Sequence, residues 1–367
     1  MKKTIFKAVL LSVILALAIV SCVTSPQDDP LSGTAGSKGS PRSKGSPHSE
    51  EPSLSQQLLE EQRQEEAQRQ QEAQQHEEKY ASIPAEPENS FAFELTSDGR
   101  GIKITRYTGT TKALRIPSNI QDLPVLEING FTGNTAITSV VLPPGITTIG
   151  EKLFQGCTSL TSIVIPENVT FIGAEAFKDC VNLASVNRFP DRIGASAFQG
   201  CRSLTGTIDL SSDKNNIGNN AFAGTGYSAV RLSLLGDLGR SVFADCLNLQ
   251  EVTIIRIRVD NRGNPITEIP AGMFSGCTAL TYINLGRIRE ISARAFSDCT
   301  SLTDITLSAS VTSIDDNAFA GCFSLTTVTI PESVTRIRFG RNSFSGCSSL
   351  PIRTQARLKQ LGYGDGF

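Results

Sequence analysis

Residues 154–180 read FQGCTSLTSIVIPENVTFIGAEAFKDC, and the stretch closes on a variant of its own opening: Phe154-Gln155-Gly156-Cys157 returns as Phe177-Lys178-Asp179-Cys180, twenty-three residues later. Between the two, Leu160-Thr161-Ser162-Ile163-Val164-Ile165 predicts a short β-strand. Successive strand side chains point to opposite faces, so Ile163 and Ile165 are expected inward and Ser162 and Val164 outward. Pro166 has no N–H to continue a ladder and ends the strand. Val169 and Ile172 turn the chain back, Gly173 permits a tight corner, and Ala176-Phe177 is expected to close the coil with a short helical or 3₁₀ turn.

Aligning the chain on this Phe finds it at Phe131, Phe154, Phe177, Phe198, Phe222, Phe243, Phe274, Phe296, Phe319 and Phe344, with spacings of 23, 23, 21, 24, 21, 31, 22, 23 and 25. The fuller pattern is I-G-x-x-A-F-x-G-C-x-x-L-T-x-I-x-I-P-x-x-V-T, clearest at residues 149–170 and 314–335. A period in the twenties marks a repeat array, in which one unit cannot bury its apolar face alone and stacked units form a continuous core. Strands of successive coils would then lie ~4.8 Å apart in a parallel sheet. One buried ring removes about 150–200 Å² from water, roughly 4–5 kcal/mol at ~25 cal/mol/Å². The Phe column is therefore expected to supply much of the driving force.

Eight cysteines, Cys157, Cys180, Cys201, Cys246, Cys277, Cys299, Cys322 and Cys347, occupy one repeat position. An even count in an exported chain admits disulfides. Equivalent residues of a stack instead form a column, and free Cys packs as a small apolar group, so a buried thiol ladder is the favoured reading. No C-x-x-C pair occurs and the repeats hold no His, which argues against zinc.

The combination of L-x-x-I-x-I-P with A-F-x-G-C resembles the BspA-like, Treponema-type leucine-rich repeats of bacterial surface proteins. The likeness runs over residues 91–350 and includes Phe91-Ala92-Phe93-Glu94, residues 104–109 and Leu114-Arg115-Ile116-Pro117. It implies an α/β solenoid: a right-handed coil of about ten repeats, with a parallel β-sheet on one face and short helical or 3₁₀ turns on the other. Three places depart from the pattern. Thr225 replaces the expected Cys, Val186-Asn187-Arg188-Phe189-Pro190 breaks the strand motif, and an insertion runs from Ile255 to Glu268.

Chemistry-bearing residues are sparse. A Ser or Cys nucleophile normally needs a neighbouring base, most often His, and both histidines, His48 and His76, lie upstream of the repeats. Asp315-Asp316 reads as a solvated turn rather than a glycosidase pair, and no phosphate-cradling G-x-x-x-x-G-K-[ST] is present. The reading is a non-enzyme with no cofactor and no metal. With 34 Lys+Arg against 36 Asp+Glu, net charge gives no support to a nucleic-acid partner. Arg256, Arg258, Arg262, Arg287, Arg289, Arg294, Arg336, Arg338 and Arg341 gather late in the chain. They form either a positive strip for acidic proteins or sulfated glycans, or a solvated edge.

The N-terminus reads as an address. Lys2, Lys3 and Lys7 introduce the apolar run 8–20, which ends at Ser21-Cys22. A basic head, an apolar core and a small-residue exit are the parts of a secretory signal. Ile19-Val20-Ser21-Cys22 resembles the lipobox of bacterial lipoproteins, which implies a signal peptide over 1–21 and a diacylglyceryl-linked Cys22; an ordinary secretion signal is the alternative. Residues 22–54, rich in Gly, Ser and Pro, read as a disordered polar tether, since they lack the apolar surface to offset ordering entropy. Residues 55–82 read as a polar helical spacer, 83–130 as linker and N-terminal cap, 131–350 as repeats and 351–367 as a C-terminal tail.

The predicted outward row includes Ser139, Val141, Ser162, Val164, Thr253, Tyr282, Asn284, Asp304, Thr306, Thr327 and Thr329. Of these, Ser162, Val164, Thr253, Asn284, Asp304, Thr306, Thr327 and Thr329 are taken as the partner-binding face, because a solenoid sheet presents many repeats to one partner. The family resemblance implies an exported, lipid-anchored adhesin on the outer surface of a bacterial cell. Its partner would be a protein of the host matrix or of another bacterium. A periplasmic scaffold contacting other envelope proteins is the alternative.

Overall fold

All ten recurrent phenylalanines are fully buried, and each ring lies against the ring of the next coil. In this computed structural model, which describes residues 82–367 apart from 258, 260 and 264–266, together with Arg63, centroids of successive rings stand between 5.0 Å (Phe177–Phe198) and 6.1 Å (Phe243–Phe274) apart. From Phe154 to Phe344 they stack within 18° of parallel. The signal peptide, Cys22, the tether and all but Arg63 and Ser82 of the spacer lie outside the described residues.

The column continues past the recurrent positions. Tyr107 stacks on Phe131 at 5.7 Å and 16°, and Tyr363 meets Phe344 edge-on at 5.7 Å. Tyrosine suits an end position because its ring extends the apolar stack while its hydroxyl finds a polar partner. The Tyr107 hydroxyl accepts the Thr111 N–H at 3.0 Å, and that of Tyr363 donates to the Gly366 carbonyl at 2.8 Å. Tyr107 belongs to a small sheet in which Phe91–Leu95, Ile102–Tyr107, Leu123–Ile128 and Asn119–Ile120 are neighbours in that order. At the other end, the segment expected to be a tail folds as an α-helix, Ile352–Gln360, and buries Leu358, Leu361 and Tyr363 over the last coil.

The ridge carrying the rings is built of hydrogen-bonded turns rather than regular helix. Two positions in each coil explain this. From Phe154 to Phe344, the residue two before each Phe has φ between 54° and 64°, and from Phe131 the residue two after it has φ between 58° and 81°. A left-handed residue every four positions breaks any helix and redirects N–H groups towards the neighbouring coil. Lys152, Phe154 and Gly156 thus donate to the carbonyls of Ala174, Ala176 and Lys178 at 2.9, 2.7 and 2.8 Å. The left-handed conformation costs a non-glycine residue such as Lys152 or Glu175 about 1–2 kcal/mol. The inter-coil hydrogen bonds and ring burial offset it.

The position two after the Phe is Gly or Asp. Asp179, Asp245 and Asp298 are each followed, one coil on, by Gly200, Gly276 and Gly321. The carboxylate lies over that glycine, where a Cβ on Gly200 would come within 2.7 Å of Asp179 Oδ1.

The thiol ladder is present. All eight repeat cysteines are free and buried, and each Sγ donates to the carbonyl of the preceding coil's Phe, as Cys180 does to Phe154 at 2.9 Å and Cys322 to Phe296 at 3.2 Å. Where Thr225 replaces Cys, its hydroxyl turns instead to its own coil's Phe222 carbonyl, 2.8 Å away, and lies 3.3 Å from Cys246 Sγ. Burial pushes these thiols up, Cys157 and Cys246 to about 11 and Cys299 and Cys347 to about 12.

Opposite the ridge runs the main parallel sheet, in three panels. The first is Ala113–Arg115, Ser139–Val141, Ser162–Val164 and Ser185–Val186; the second Thr207–Leu210, Ala229–Ser233 and Glu251–Arg256; the third Tyr282–Leu285, Asp304–Leu307 and Thr327–Thr329. A second, narrow parallel sheet of two-residue strands runs from Thr148–Ile149 to Asp237–Leu238 and again from Glu268–Ile269 to Arg338–Phe339. Register is constant across the first panel, with Ser139, Ser162 and Ser185 side by side and Val140, Ile163 and Val186 beneath them.

Three outcomes follow for solution measurements. Phe177→Ala should lower unfolding free energy by about 3–5 kcal/mol in urea titration, the range for a truncated buried ring; a loss below about 1 kcal/mol would contradict the stacked column. The folded thiols have raised pKa values, so the stability they contribute is complete below the ordinary value of 9.0 and fades as pH rises through about 11. The melting temperature should therefore fall between pH 9 and 11, and a thiol reagent at pH 8 should modify the eight repeat cysteines only after denaturation.

Candidate partner-binding face

The outward positions of the main sheet fall into rows set by strand register. In the third panel Tyr282, Asp304 and Thr327 form one row, and Asn284, Thr306 and Thr329 the next. Tyr282, Asn284, Thr327 and Thr329 are exposed, and Asp304 and Thr306 are half-buried. Asn284 Oδ1 accepts the Gly286 N–H at 2.9 Å, fixing the turn at the end of its strand, and Asp304 takes the Thr303 hydroxyl at 2.6 Å. The second panel aligns Asp209, Arg231 and Thr253. There Arg231 Nε lies 3.9 Å from Asp209, while Thr253 is exposed and donates to Glu251 at 3.3 Å. Short side chains already held by local hydrogen bonds lose little rotamer freedom on contact, which suits a flat face that docks a protein.

Val164 is a correction to the expected face. Only 7% of it is exposed. Its strand neighbour ends at Val186, where the motif breaks, and Asn187 turns its amide onto Ile165, accepting the N–H at 2.8 Å and donating to the carbonyl at 3.0 Å. Arg188 then spans the Pro166 and Val169 carbonyls, both at 2.9 Å. This segment closes over the strand edge beside Val164. Ser162 stays half-buried in the row beside Ser139 and Ser185.

The sheet is interrupted twice, and the two places differ. After Ser185–Val186 the chain fills its own gap, with Phe189 set edge-on between Phe198 and Phe222 at 5.2 and 5.5 Å. After Glu251–Arg256, at the 31-residue spacing, the ridge stays continuous, since Ser241, Phe243 and Asp245 donate to Ala271, Met273 and Ser275. Both sheets part there. The result on the main face is a cleft of about 700 Å³ lined by Glu251, Val252, Thr253, Ile254, Tyr282 and Arg287, among others. A smaller one of about 260 Å³ opens at the narrow sheet between Leu238 and Glu268. Sequence reading placed Thr253, Asn284 and Arg287 individually. It missed that the long spacing joins them around one opening.

Several of the late arginines are engaged locally. Arg256 pairs with Asp213, Arg289 with Glu290 at 3.8 Å and Arg338 with Asp315 at 3.1 Å, while Arg294 sits on the ridge as a left-handed residue. Arg258 lies outside the described residues. Among the described residues no group of three or more His, Cys, Asp or Glu side chains could hold a metal ion, and no helix is long and apolar enough to cross a membrane.

Solved structures with similar coils include a leucine-rich repeat protein of T. pallidum, 26% identical over 77% of this chain and 99% of that one, with a TM-score of 0.35. A leucine-rich cell surface protein of Faecalibacterium prausnitzii is 21% identical over 78% of this chain and 99% of that one, with a TM-score of 0.33. The pneumococcal vaccine antigen PcpA is 18% identical over 73% and 80%, with a TM-score of 0.43. No curated protein matches the sequence. Residues 106–193, 188–261 and 238–351 match the family described as BspA type leucine rich repeat region, six copies. With more than half of its length so matched, the chain belongs to the BspA-type leucine-rich repeat family.

Proposed function

We propose that this chain is a lipid-anchored bacterial surface protein whose repeat solenoid binds proteins of the host matrix or of other cells. The observation that carries the reading is the pair of registered rows on the third panel, Tyr282–Asp304–Thr327 and Asn284–Thr306–Thr329, which offer a continuous, mostly exposed polar face across successive coils. Membership of a repeat family built for extended protein contact supports it. The role is one of binding, without catalysis, and the anchor rests on Ile19-Val20-Ser21-Cys22. Several acyl chains on one cysteine hold a membrane stably, at ~0.8 kcal/mol per buried CH₂.

The full chain should bind at least one of a panel of immobilised matrix proteins, fibronectin and fibrinogen among them, by surface plasmon resonance. Thr306→Trp should weaken that binding tenfold or more while leaving the melting temperature within a few degrees. Failure to bind across the panel would remove the adhesive role. For the anchor, the wild-type chain should partition into detergent and Cys22→Ala should not. Protease added to intact cells should cleave the chain, whereas protection would favour a periplasmic scaffold.

A further inference from the structure

The two ends of the solenoid are finished differently. The last coil is closed by the helix Ile352–Gln360, whereas the first layer at the N-terminal end is the strand Phe91–Leu95, outermost in its sheet and paired only with Ile102–Tyr107. On either side of that strand Thr96 donates to the Gly101 carbonyl and Thr108 to the Ser90 carbonyl, both at 2.9 Å. An antiparallel ladder bonds alternate residues, so with Ser90 and Thr96 turned inward Ala92 and Glu94 turn inward too, and the N–H and C=O groups of Phe91, Phe93 and Leu95 point away from the sheet. Among the described residues no turn or loop backbone bonds to them.

A bare edge is a row of groups that another backbone can satisfy, and folded proteins blunt it with a short strand, a proline or a lysine. The opposite edge of the same sheet, Asn119–Ile120, is two residues long. Phe91–Leu95 holds neither proline nor lysine, its single charge, Glu94, is held by Lys103 at 3.0 Å, and its apolar side chains are partly bare, with Leu95 58% exposed and Phe93 half-buried. The strand is also complementary to itself. Set antiparallel to a second copy and centred on Phe93, it uses the outward groups of Phe91, Phe93 and Leu95 in both chains, and places Leu95 across from Phe91 and Glu94 across from Ala92 of the second copy. In its own sheet Glu94 stands in register with Lys103 and Ala92 with Arg106. The row across the junction therefore runs Lys103, Glu94, then Ala92 and Arg106 of the second copy, with no like charges opposed. Centring on Glu94 would oppose two carboxylates, which destabilises a strand pair, and centring on Ala92 would leave Leu95 beyond the end of the other strand.

We infer that Phe91–Leu95 is a self-association edge, where two copies of this chain pair antiparallel about a two-fold axis through Phe93 and join their N-terminal sheets into one. Such a junction is isologous and closes on itself, so it yields a dimer and no longer array. Main-chain hydrogen bonds give it affinity, and the position of Glu94 fixes its register. Residues 1–81 lead into this same end of the solenoid, so copies held at one membrane by that segment bring these edges together, and the raised local concentration strengthens a contact made by a strand of only five residues. The pairing stands independently of what the polar face binds.

The test uses the full chain carrying Cys22→Ala, so that introduced thiols are the accessible ones, followed by sedimentation velocity and hydrogen exchange. A reversible, concentration-dependent dimer is expected. Leu95→Asp should weaken it tenfold or more, as should Phe93→Pro, which removes an outward donor. Leu247→Asp, at a leucine 59% exposed elsewhere on the surface, should leave it unchanged. Because Leu95 is exposed, its variant keeps the test decisive even if Phe93→Pro unfolds the first layer. The Phe93 amide should gain protection only as the dimer forms, while those of Ala92 and Glu94 are protected throughout. Under mild oxidation a mixture of Ala92→Cys and Glu94→Cys chains should form disulfide-linked dimers faster than either chain alone, since the two positions face each other. A chain that stays monomeric at every concentration reached, a dimer indifferent to Leu95→Asp, or a mixture that links no faster than its components would overturn the inference. So would protection of the Phe93 amide that does not vary with concentration, since the occupant would then be a segment of the same chain.

Discussion

The interaction on which everything else depends is the ring-on-ring contact between coils. A single coil of some twenty-three residues encloses too little apolar volume to hold its shape, so each ring is covered by the rings above and below it. The same step repeats three bonds in parallel: stacked Phe, an N–H from the left-handed turn, and an S–H onto the carbonyl of the preceding Phe. Stability is therefore held mainly between coils rather than within them, as expected for a one-dimensional array. Each end of the column is closed by a buried tyrosine, Tyr107 or Tyr363, whose ring meets the last phenylalanine and whose hydroxyl is bonded to a backbone group.

This arrangement separates holding from binding. The ridge runs unbroken through the 31-residue spacing, with Phe243 still stacked on Phe274, while both sheets open at that step. A sheet that also had to carry the stack could not part without unfolding. Because the ridge carries it, the sheet face is free to vary, to plug one gap with Phe189 and to leave another open.

Much of the coil was legible in the sequence because its signals are periodic. The Phe spacing located the ten recurrent rings of the ridge, and the alternation around Ile163 placed the inward row. What escaped has a common physical cause. The narrow sheet is made of two-residue strands such as Thr148–Ile149, too short for alternation to show. Val164 obeys the alternation rule and is buried all the same, beside a strand edge that Asn187 and Arg188 of the next coil close. The C-terminal segment lacks the repeat motif, so nothing in its pattern revealed that Leu358 and Tyr363 close the core. The cleft was visible only as an odd interval between two phenylalanines.

The alternation of Asp and Gly after the recurrent Phe has a further consequence. Asp179, Asp245 and Asp298 each set a carboxylate oxygen over the glycine of the following coil, so an Asp-bearing unit followed by another of its kind would have to move that carboxylate aside. Units bearing Gly carry no such restriction. Duplication or recombination of repeats within the gene is thus free for one class of unit and directional for the other, and a shuffled array that sets two acidic units in succession would meet a steric and electrostatic clash at a single seam.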